Sequence, residues 1–408
     1  MHVCVLGAGI VGLATAYELR QRGCDVTVID RAYSGAGASG GNGAQLSYSY
    51  VQPLADPNVW AQLPKLLLST DSPLKFRLQW DLQQWLWGLQ FLRACNGTTS
   101  RSTTGQLLEL ASQSRAGLEQ VKTKHLLDFD HSSTGKLVLY NTTASFVGAQ
   151  EQLRLQAEMG SVQEAVTAER CVEIEPALAG YAPQIAGAIY TPSECAADCL
   201  KLCNALENLL KAQGVQFQLS TELQGFSQSG GAITAVQTSA GALQADQFVL
   251  ALGAGSYFAA RWLGLRLPIY PLKGYSITLD VSDASSSSRA PAVNVTDSAR
   301  KVVFARIGQR LRVAGMAELV GHDHSISADR IDSLKRSTQA VFPQCRIDSA
   351  DHAWTGMRPA TPTGLPIVGG LANAPKNLMF NTGHGALGFT LAFGTAALVA
   401  DQLTAQGV

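Results

Sequence analysis

The most restrictive stretch of this chain is its start, HVCVLGAGIVGLATAYELRQRGCDVTVID, residues 2–30. His2 to Leu6 form a short apolar run that reads as a buried strand. Gly7, Gly9 and Gly12 follow in the spacing GxGxxG. Ile10, Leu13, Ala14 and Tyr17 then recur on one helical face, and Gly23 stands where the helix would end. DVTVID reads as a second strand. In such a βαβ unit the first glycine allows the tight turn and the second lets backbone N–H groups approach a pyrophosphate. The third lets helix and strand pack closely. The helix N-terminus adds partial positive charge. Asp30 closes the second strand about 20 residues after the glycines, where a carboxylate accepts from both ribose hydroxyls and disfavours a 2′-phosphate. The pattern therefore predicts a dinucleotide site and argues against NADP. A glycine-rich turn in some other α/β protein would leave Asp30 without a reason. The motif does not choose between NAD and FAD.

The rest of the chain bounds the answer. It has 408 residues, 46% of them hydrophobic, enough for a large core and two domains. Charged residues are 15%, below the usual ~25%, and Lys+Arg balance Asp+Glu at 31 each. That excludes the basic footprint of a nucleic-acid partner. The strand pattern begins at His2 with no signal-peptide pattern before it, and the longest nearly apolar stretch, Phe248 to Ala260, is too short to span a bilayer. These features predict a cytoplasmic protein. DASSSSRA reads as a solvent loop.

Eight cysteines do not make a disulfide scaffold at this length. Cys195, Cys199 and Cys203 would share a helix face if residues 195–212 are helical. A thiolate metal site would need tighter pairing or a nearby histidine. Three small buried hydrophobes is the expectation, and no metal. His322 and His324 read as a solvated turn. The segment from Trp60 to Phe91 holds Trp60, Trp80, Trp85 and Trp87. Leu78, Leu82, Trp85, Leu89 and Leu92 fall on one helical stripe. It reads as a core helix, with an apolar surface for a membrane or partner as the alternative.

The glycine-dense loop SGAGASGGNGAQLSYSYVQP follows Asp30 closely, and so bare a backbone can lie along an extended ligand. GKLVLY reads as a strand, with helices around 144–159 and 195–213. Residues 215–256 read as four short strands, the last, QFVLALGAG, a parallel strand ending in Gly253 and Gly255. LPIYPLKGYSITLD opens a new β region, and KVVFARIGQRLRVAGMAELVG reads as a hairpin turning at IGQR. Strands without intervening helices predict an antiparallel sheet. LMFN is a further strand, followed by a glycine loop at Gly383, Gly385 and Gly388 and an amphipathic helix from Thr390 to Leu403. A second glycine-rich helix N-terminus serves no simple NAD enzyme. It suits a flavin, whose reduced ring carries anionic charge near N1 and O2. The cofactor expected is FAD.

The fold class predicted is α/β with an α+β second domain: a discontinuous Rossmann-like FAD-binding domain and an antiparallel-sheet substrate domain. The boundaries expected are 1–50, 150–265 and 350–408 for the first, and 51–149 and 266–349 for the second.

VLGAGIVGLATAYELRQRG, NGAQLS, YPLKGYSITL, RVAGMAELVG, WTGMRPATPTGLPIVG and NTGHGALGFTLAFG, in this order over essentially the whole chain, resemble the bacterial D-amino acid dehydrogenases of the D-amino acid oxidase/glycine oxidase family. PLKGYS and TGHGALGFT are the more specific motifs. The chain departs from the family at Thr363, where TPDGxP is common. The resemblance implies a noncovalent FAD and oxidation of a D-amino acid such as D-alanine to an imino acid, which water converts to the 2-oxo acid and ammonia. It implies electrons passed to a quinone or other respiratory carrier, and a peripheral site on the cytoplasmic face of the inner membrane as an open alternative. It implies FAD contacts from Gly7, Gly9, Ile10, Val11, Gly12, Asp30 and Arg31, from Ser39, Asn42, Gly43, Ala44, Gln45 and Leu46, and from Leu223, Ala251, Gly253 and Gly369. At the far end it implies Gly383, Gly385, Ala386, Leu387, Gly388 and Thr390.

Arg358 in TGMRP occupies the place of the family's carboxylate-binding arginine, whose planar fork suits a carboxylate. Tyr48, Tyr50 and Tyr275 are candidates for the pocket. Lys273 is a candidate for the flavin edge, and the His384 ring faces flavin or solvent. Hydride transfer from Cα to flavin N5 is the mechanism expected. With a neutral amine it needs no strong base, and the sequence shows no Ser-His-Asp or metal constellation. Glycine, sarcosine or D-proline oxidation on the same fold, or a flavin-binding subunit without turnover, are the rivals.

Overall fold

The computed structural model describes residues 1–60, 74–77, 79–348 and 350–405. The opening unit forms as expected: β1 (His2–Leu6), α1 (Ile10–Gln21) and β2 (Asp25–Ile29). Gly23 takes a positive φ of 81° and turns the chain after α1. β1 pairs in parallel with β2 on one side and with β3 (Gln247–Leu250) on the other. Residues Gln216–Gln218 extend this sheet past β2, and Leu378–Thr382 extend it past β3. The chain thus leaves the sheet and returns to it three times. Residues 215–256 hold five short strands rather than four, the middle three forming their own small sheet.

The second sheet is largely antiparallel. β4 (Tyr270–Asp280) pairs with β5 (Arg310–Leu319) and with β6 (Ala350–Ala360). Val302–Ile307 completes the expected hairpin with β5. Lys136–Tyr140, Gly187–Thr191 and Glu164–Val166 carry the sheet to its far edge. The boundaries expected at 150 and 350 therefore cut across this sheet. Glu164–Val166, Gly187–Thr191 and β6 belong to it by hydrogen bonding, because a crossing strand pairs with whichever edge is open, whatever domain its neighbours in sequence join.

Helices carry the other corrections. DASSSSRA is not a loop: Ala284–Arg289 is a short helix, capped by the Asp283 carboxylate accepting from Ser286 N. The 195–213 helix starts at Cys199, where Asp198 caps it, and Cys195 lies on a strand with Ala196. The three cysteines do not share a helix face. All eight cysteines are buried and free. Among the described residues, no group of three or more His, Cys, Asp or Glu could hold a metal.

The helix α2 (Leu82–Ala94) presents a different face from the one expected. Leu82, Trp85, Leu86 and Leu89 are exposed, as is Trp80 just before it. Leu78 lies outside the described residues. The core face is instead Gln84, Trp87 and Ala94, with Phe91 packed beside them. Trp87 wins the interior because its indole N–H reaches the Ala360 carbonyl at 2.8 Å and its ring stacks on Phe91.

The next helix, α3 (Gly97–Lys124), packs with α1 against the last one, α4 (Gly388–Ala405). α4 is not amphipathic. Phe389 to Ala396, Val399, Ala400 and Leu403 are all buried, so it reads as a core helix. Residues Gly385–Ala405 are long and apolar enough to cross a membrane, but most of that span is buried inside the protein.

Candidate active site

β1, β2 and β3 end side by side, and their carboxyl ends open on a cavity of about 570 Å³, within the range that holds a cofactor. Gly7 turns the chain here with φ 115°; a Cβ on it would stand 2.5 Å from the Ala251 carbonyl oxygen, so only glycine fits between β1 and β3. The Asp30 carboxylate accepts from Ala8 N at 2.8 Å and from Ala32 N at 2.9 Å, which fixes it at the cavity wall. Its remaining lone pairs are free to accept further donors.

The glycine loop is held along the cavity by both domains. Ser39 Oγ accepts from Ile10 N at 3.1 Å. From the second sheet, Ser276 Oγ donates to the Gly41 carbonyl and Arg312 to the Asn42 carbonyl. The Trp354 ring lies against Gly41 and over Gly356, where any Cβ would clash with it. The loop is therefore bare for packing as well as for ligand approach.

Arg358 lies on β6 with its guanidinium flat against Gly274 of β4. Its Nη1 donates to the Met316 carbonyl at 2.8 Å. Met316 holds a φ of 65°, rare for a side-chain-bearing residue, in the strand opposite. No carboxylate pairs with Arg358 among the described residues. Burial pulls the guanidinium down to about 10. A half-buried, desolvated cation on a cavity wall with one neutral acceptor has donors to spare for an incoming anion.

Tyr275 borders the same cavity, but its side chain is fully buried in the core of the second sheet, where its hydroxyl donates to Glu318 Oε2 at 2.8 Å. His384 also lines it, but its Nε2 is engaged with Thr395 Oγ1 at 3.0 Å inside α4. Burial pulls its ring down to about 3, so it stays neutral throughout the physiological range and supplies no acid–base catalysis there. Lys273 is neither solvated nor on the cavity wall: it is buried, over the Tyr275 ring and 3.6 Å from Asp323. His322 is exposed beside Phe258, and His324 is exposed, as a surface turn requires.

The profile of the family "FAD dependent oxidoreductase", DAO, matches residues 2–402. The chain belongs to this family of FAD-dependent oxidoreductases. The oxidoreductase is 45% identical to D-amino acid dehydrogenase 2 of Ralstonia nicotianae, over 99% of this chain and 96% of that one. It is 44% identical to D-amino acid dehydrogenase 2 of Pseudomonas aeruginosa, over 98% and 94%. Glycine oxidase from Geobacillus kaustophilus shares its fold, with TM-score 0.76, 22% identity, and coverage of 99% and 94%.

FAD is the cofactor of this oxidoreductase, and the cavity fits it. Gly253 and Gly385 line it at φ 56° and 55°, and a Cβ on either would meet no protein atom within 4 Å. Asn381, buried at the wall, leaves Oδ1 without a partner among the described residues. Of the residues expected to touch the cofactor, Gly7, Gly9, Ile10, Val11, Asp30, Arg31, Ser39, Asn42, Gly43, Leu223, Ala251, Gly253, Gly385, Ala386 and Gly388 line this cavity. Gly12, Ala44, Gln45, Leu46, Gly369, Gly383, Leu387 and Thr390 do not line it. Gly12 packs on Gly7, and Thr390 Oγ1 accepts from Ser47 N. Of the substrate candidates, Arg358, Tyr275 and His384 line it. Tyr48 and Tyr50 do not: Tyr48 packs in the core beneath Arg115, and Tyr50 lies under Lys136. Trp354, Gly274, Asn381, Thr221 and Trp262 line the cavity without having been singled out. Trp354 and Gly274 lie inside quoted motifs, but their role depends on cross-strand register, which no local pattern carries.

The His384 value makes a prediction about stability. The unfolded chain takes up a proton near pH 6.5, whereas the folded ring resists until about 3, so acidification removes stability across that window. His384→Gln keeps a partner for Thr395 and deletes the titration. The difference in unfolding free energy between the two proteins, from denaturant melts, should shift in favour of the variant as pH falls from 7 to 4.5, by about 1.4 kcal/mol per pH unit below 6.5. Parallel curves would show that the ring titrates normally.

Proposed function

We propose that this oxidoreductase is a D-amino acid dehydrogenase. It oxidises a D-amino acid to the imino acid, which water converts to the 2-oxo acid and ammonia, and passes the electrons to a quinone or other respiratory acceptor. The observation that carries the reading is Arg358: half-buried, on the cavity wall, and held by one carbonyl with no carboxylate partner among the described residues. The names of relatives at 45% and 44% identity over nearly the whole chain support the D-amino acid.

The chain's own residues bind and orient. Arg358 offers its remaining N–H donors to a carboxylate, and Gly274 leaves room for the guanidinium plane. Trp354 and the glycine loop close one side against water. Bound FAD supplies the two-electron acceptor, at N5, for the hydride from Cα. Mixed anaerobically, the purified flavoprotein should be bleached by D-alanine and not by L-alanine. Bleaching by glycine or sarcosine alone would replace this reading with amine oxidation on the same fold. No bleaching by any of them would leave a flavin-binding subunit.

The exposed ridge of Trp80, Leu82, Trp85, Leu86 and Leu89 supports a peripheral site on the cytoplasmic face of the inner membrane, where a quinone would be reached. The protein should float with vesicles of phosphatidylethanolamine and phosphatidylglycerol. Trp85→Glu with Leu89→Glu should abolish flotation while leaving D-alanine bleaching in solution unchanged. Wild-type protein that stays at the bottom of the gradient would remove the membrane from the proposal.

A further inference from the structure

The wall around Arg358 is built over one pair of glycines. Trp354, Gly356 and Arg358 alternate along β6, so they share one face of the strand, and all three line the cavity. Gly274 of β4 pairs directly with Gly356, which sets their Cα atoms about 4.5–5.5 Å apart. Two side chains lean over this bare pair. A Cβ on Gly274 would run into Cζ, Nη1 and Nη2 of Arg358, and a Cβ on Gly356 would run into Cη2, Cζ2 and Cζ3 of Trp354. The outer, benzo edge of the indole and the guanidinium are therefore neighbours on the cavity wall. The inner part of the same ring makes a separate contact: Cγ, Cδ2 and Cε2 pack on Gly41 of the glycine loop. Trp354 as a whole is half-buried.

We propose that Trp354 is a specificity-determining residue: its benzo edge receives the side chain of the D-amino acid whose carboxylate lies on Arg358. This rests on the reading of Arg358 given above. A carboxylate on the guanidinium brings Cα beside the Gly274–Gly356 pair. The Cα–H bond has to face the flavin for hydride transfer. The amine needs hydrogen-bonding partners, which benzo carbons do not supply. The remaining group, the side chain, is the one that apolar carbons suit. Ala314 extends the apolar surface, since it pairs with Ser276 on one side as Trp354 does on the other, and it too lines the cavity. Among the described residues, the carboxylates that line the cavity are Asp30 and Glu222. They stand together at the dinucleotide end, where Thr221 N donates to the Asp30 carbonyl. A cationic side chain would thus lie beside the guanidinium with no carboxylate to pair with. The substrates favoured are D-amino acids with apolar side chains.

Trp354→Phe separates the two ends of the ring. A phenyl keeps the part that packs on Gly41 and lacks the part that reaches Gly356. The probes are propionate and 4-methylpentanoate, which are D-alanine and D-leucine without the amine, titrated into the holoenzyme and read from the flavin spectrum. Propionate should bind Trp354→Phe as tightly as wild type, whereas 4-methylpentanoate should bind about five- to thirtyfold more weakly. The flavin-to-protein ratio should stay at the wild-type value. Equal weakening of the two carboxylates, or no weakening of either, would overturn the proposal. So would tighter binding of 4-methylpentanoate, which would make the indole an obstruction. Loss of flavin would overturn it as well, by making the benzo edge part of the packing that holds the loop. Arg358→Met tests the underlying reading separately: both carboxylates should lose affinity, and wild-type propionate binding in that variant would remove Arg358 from the carboxylate whatever Trp354 does.

Discussion

Replacing Arg358 with methionine should lower kcat/KM for D-alanine by about a hundred- to several-thousand-fold, mostly through KM, without lowering the melting temperature. The two halves follow from one fact. The guanidinium is half-buried with a single carbonyl acceptor, and desolvation pulls it down to about 10. Desolvating it therefore costs the free protein stability, which methionine, of similar length and apolar, gives back. A bound carboxylate ends that cost, and losing one partner of a buried charge pair typically removes about 3–5 kcal/mol. The fold-change above is that energy expressed as a rate ratio. Flavin content should stay at the wild-type level, because the hydrogen bonds that fix the glycine loop and the turn after β1 at the cavity do not involve this side chain. A variant with wild-type KM would remove the carboxylate from Arg358. A variant with a much lower melting temperature would show that the arginine is structural.

Reading the chain alone reached the dinucleotide unit because its determinants are local. Gly7, Gly12, Gly23 and Asp30 each act within one strand-turn-helix, and their spacing carries the geometry. The hairpin at IGQR was legible for the same reason. Tyr48 and Tyr50 show where such reading ends. They follow the glycine loop in sequence, but the chain dives inward after Leu46, and Ser47 is caught by Lys136 and Thr390 on the way. Tyr275 could be named but not placed, since what turns its side chain into the core is Glu318 on the neighbouring strand, itself held by Arg330 on the helix Ala328–Val341. The helix α2 failed for another reason. It carries two apolar stripes, and only the presence of the Ala360 carbonyl as a partner for the Trp87 indole decides which one is buried.

Gly12→Ala should yield protein stripped of most of its flavin, whereas Gly88→Ala should yield fully loaded protein at least as stable as wild type. Both glycines lie inside helices, α1 and α2, where alanine is favoured over glycine by about 1 kcal/mol. Propensity alone would make both changes stabilising. The surroundings separate them. A Cβ on Gly88 meets nothing within 4 Å. A Cβ on Gly12 would sit well inside contact distance of the Gly7 carbonyl oxygen, with the Val5 side chain 3.5 Å away. Neither neighbour can yield cheaply: Gly7 is held by its N–H to Ile29 and wedged against Ala251, and Val5 lies in the centre of the sheet. Helix and strand must therefore part, at a cost of at least the ~1–3 kcal/mol of an overpacked core, which outweighs the propensity gain. The parting moves the N-terminus of α1 away from the cavity, so the loss falls on cofactor affinity before it falls on the fold. The ratio of flavin to protein absorbance after purification, with the melting temperature of each variant, reads both effects. If Gly12→Ala keeps wild-type flavin content, the third glycine is a matter of helix composition and not of packing.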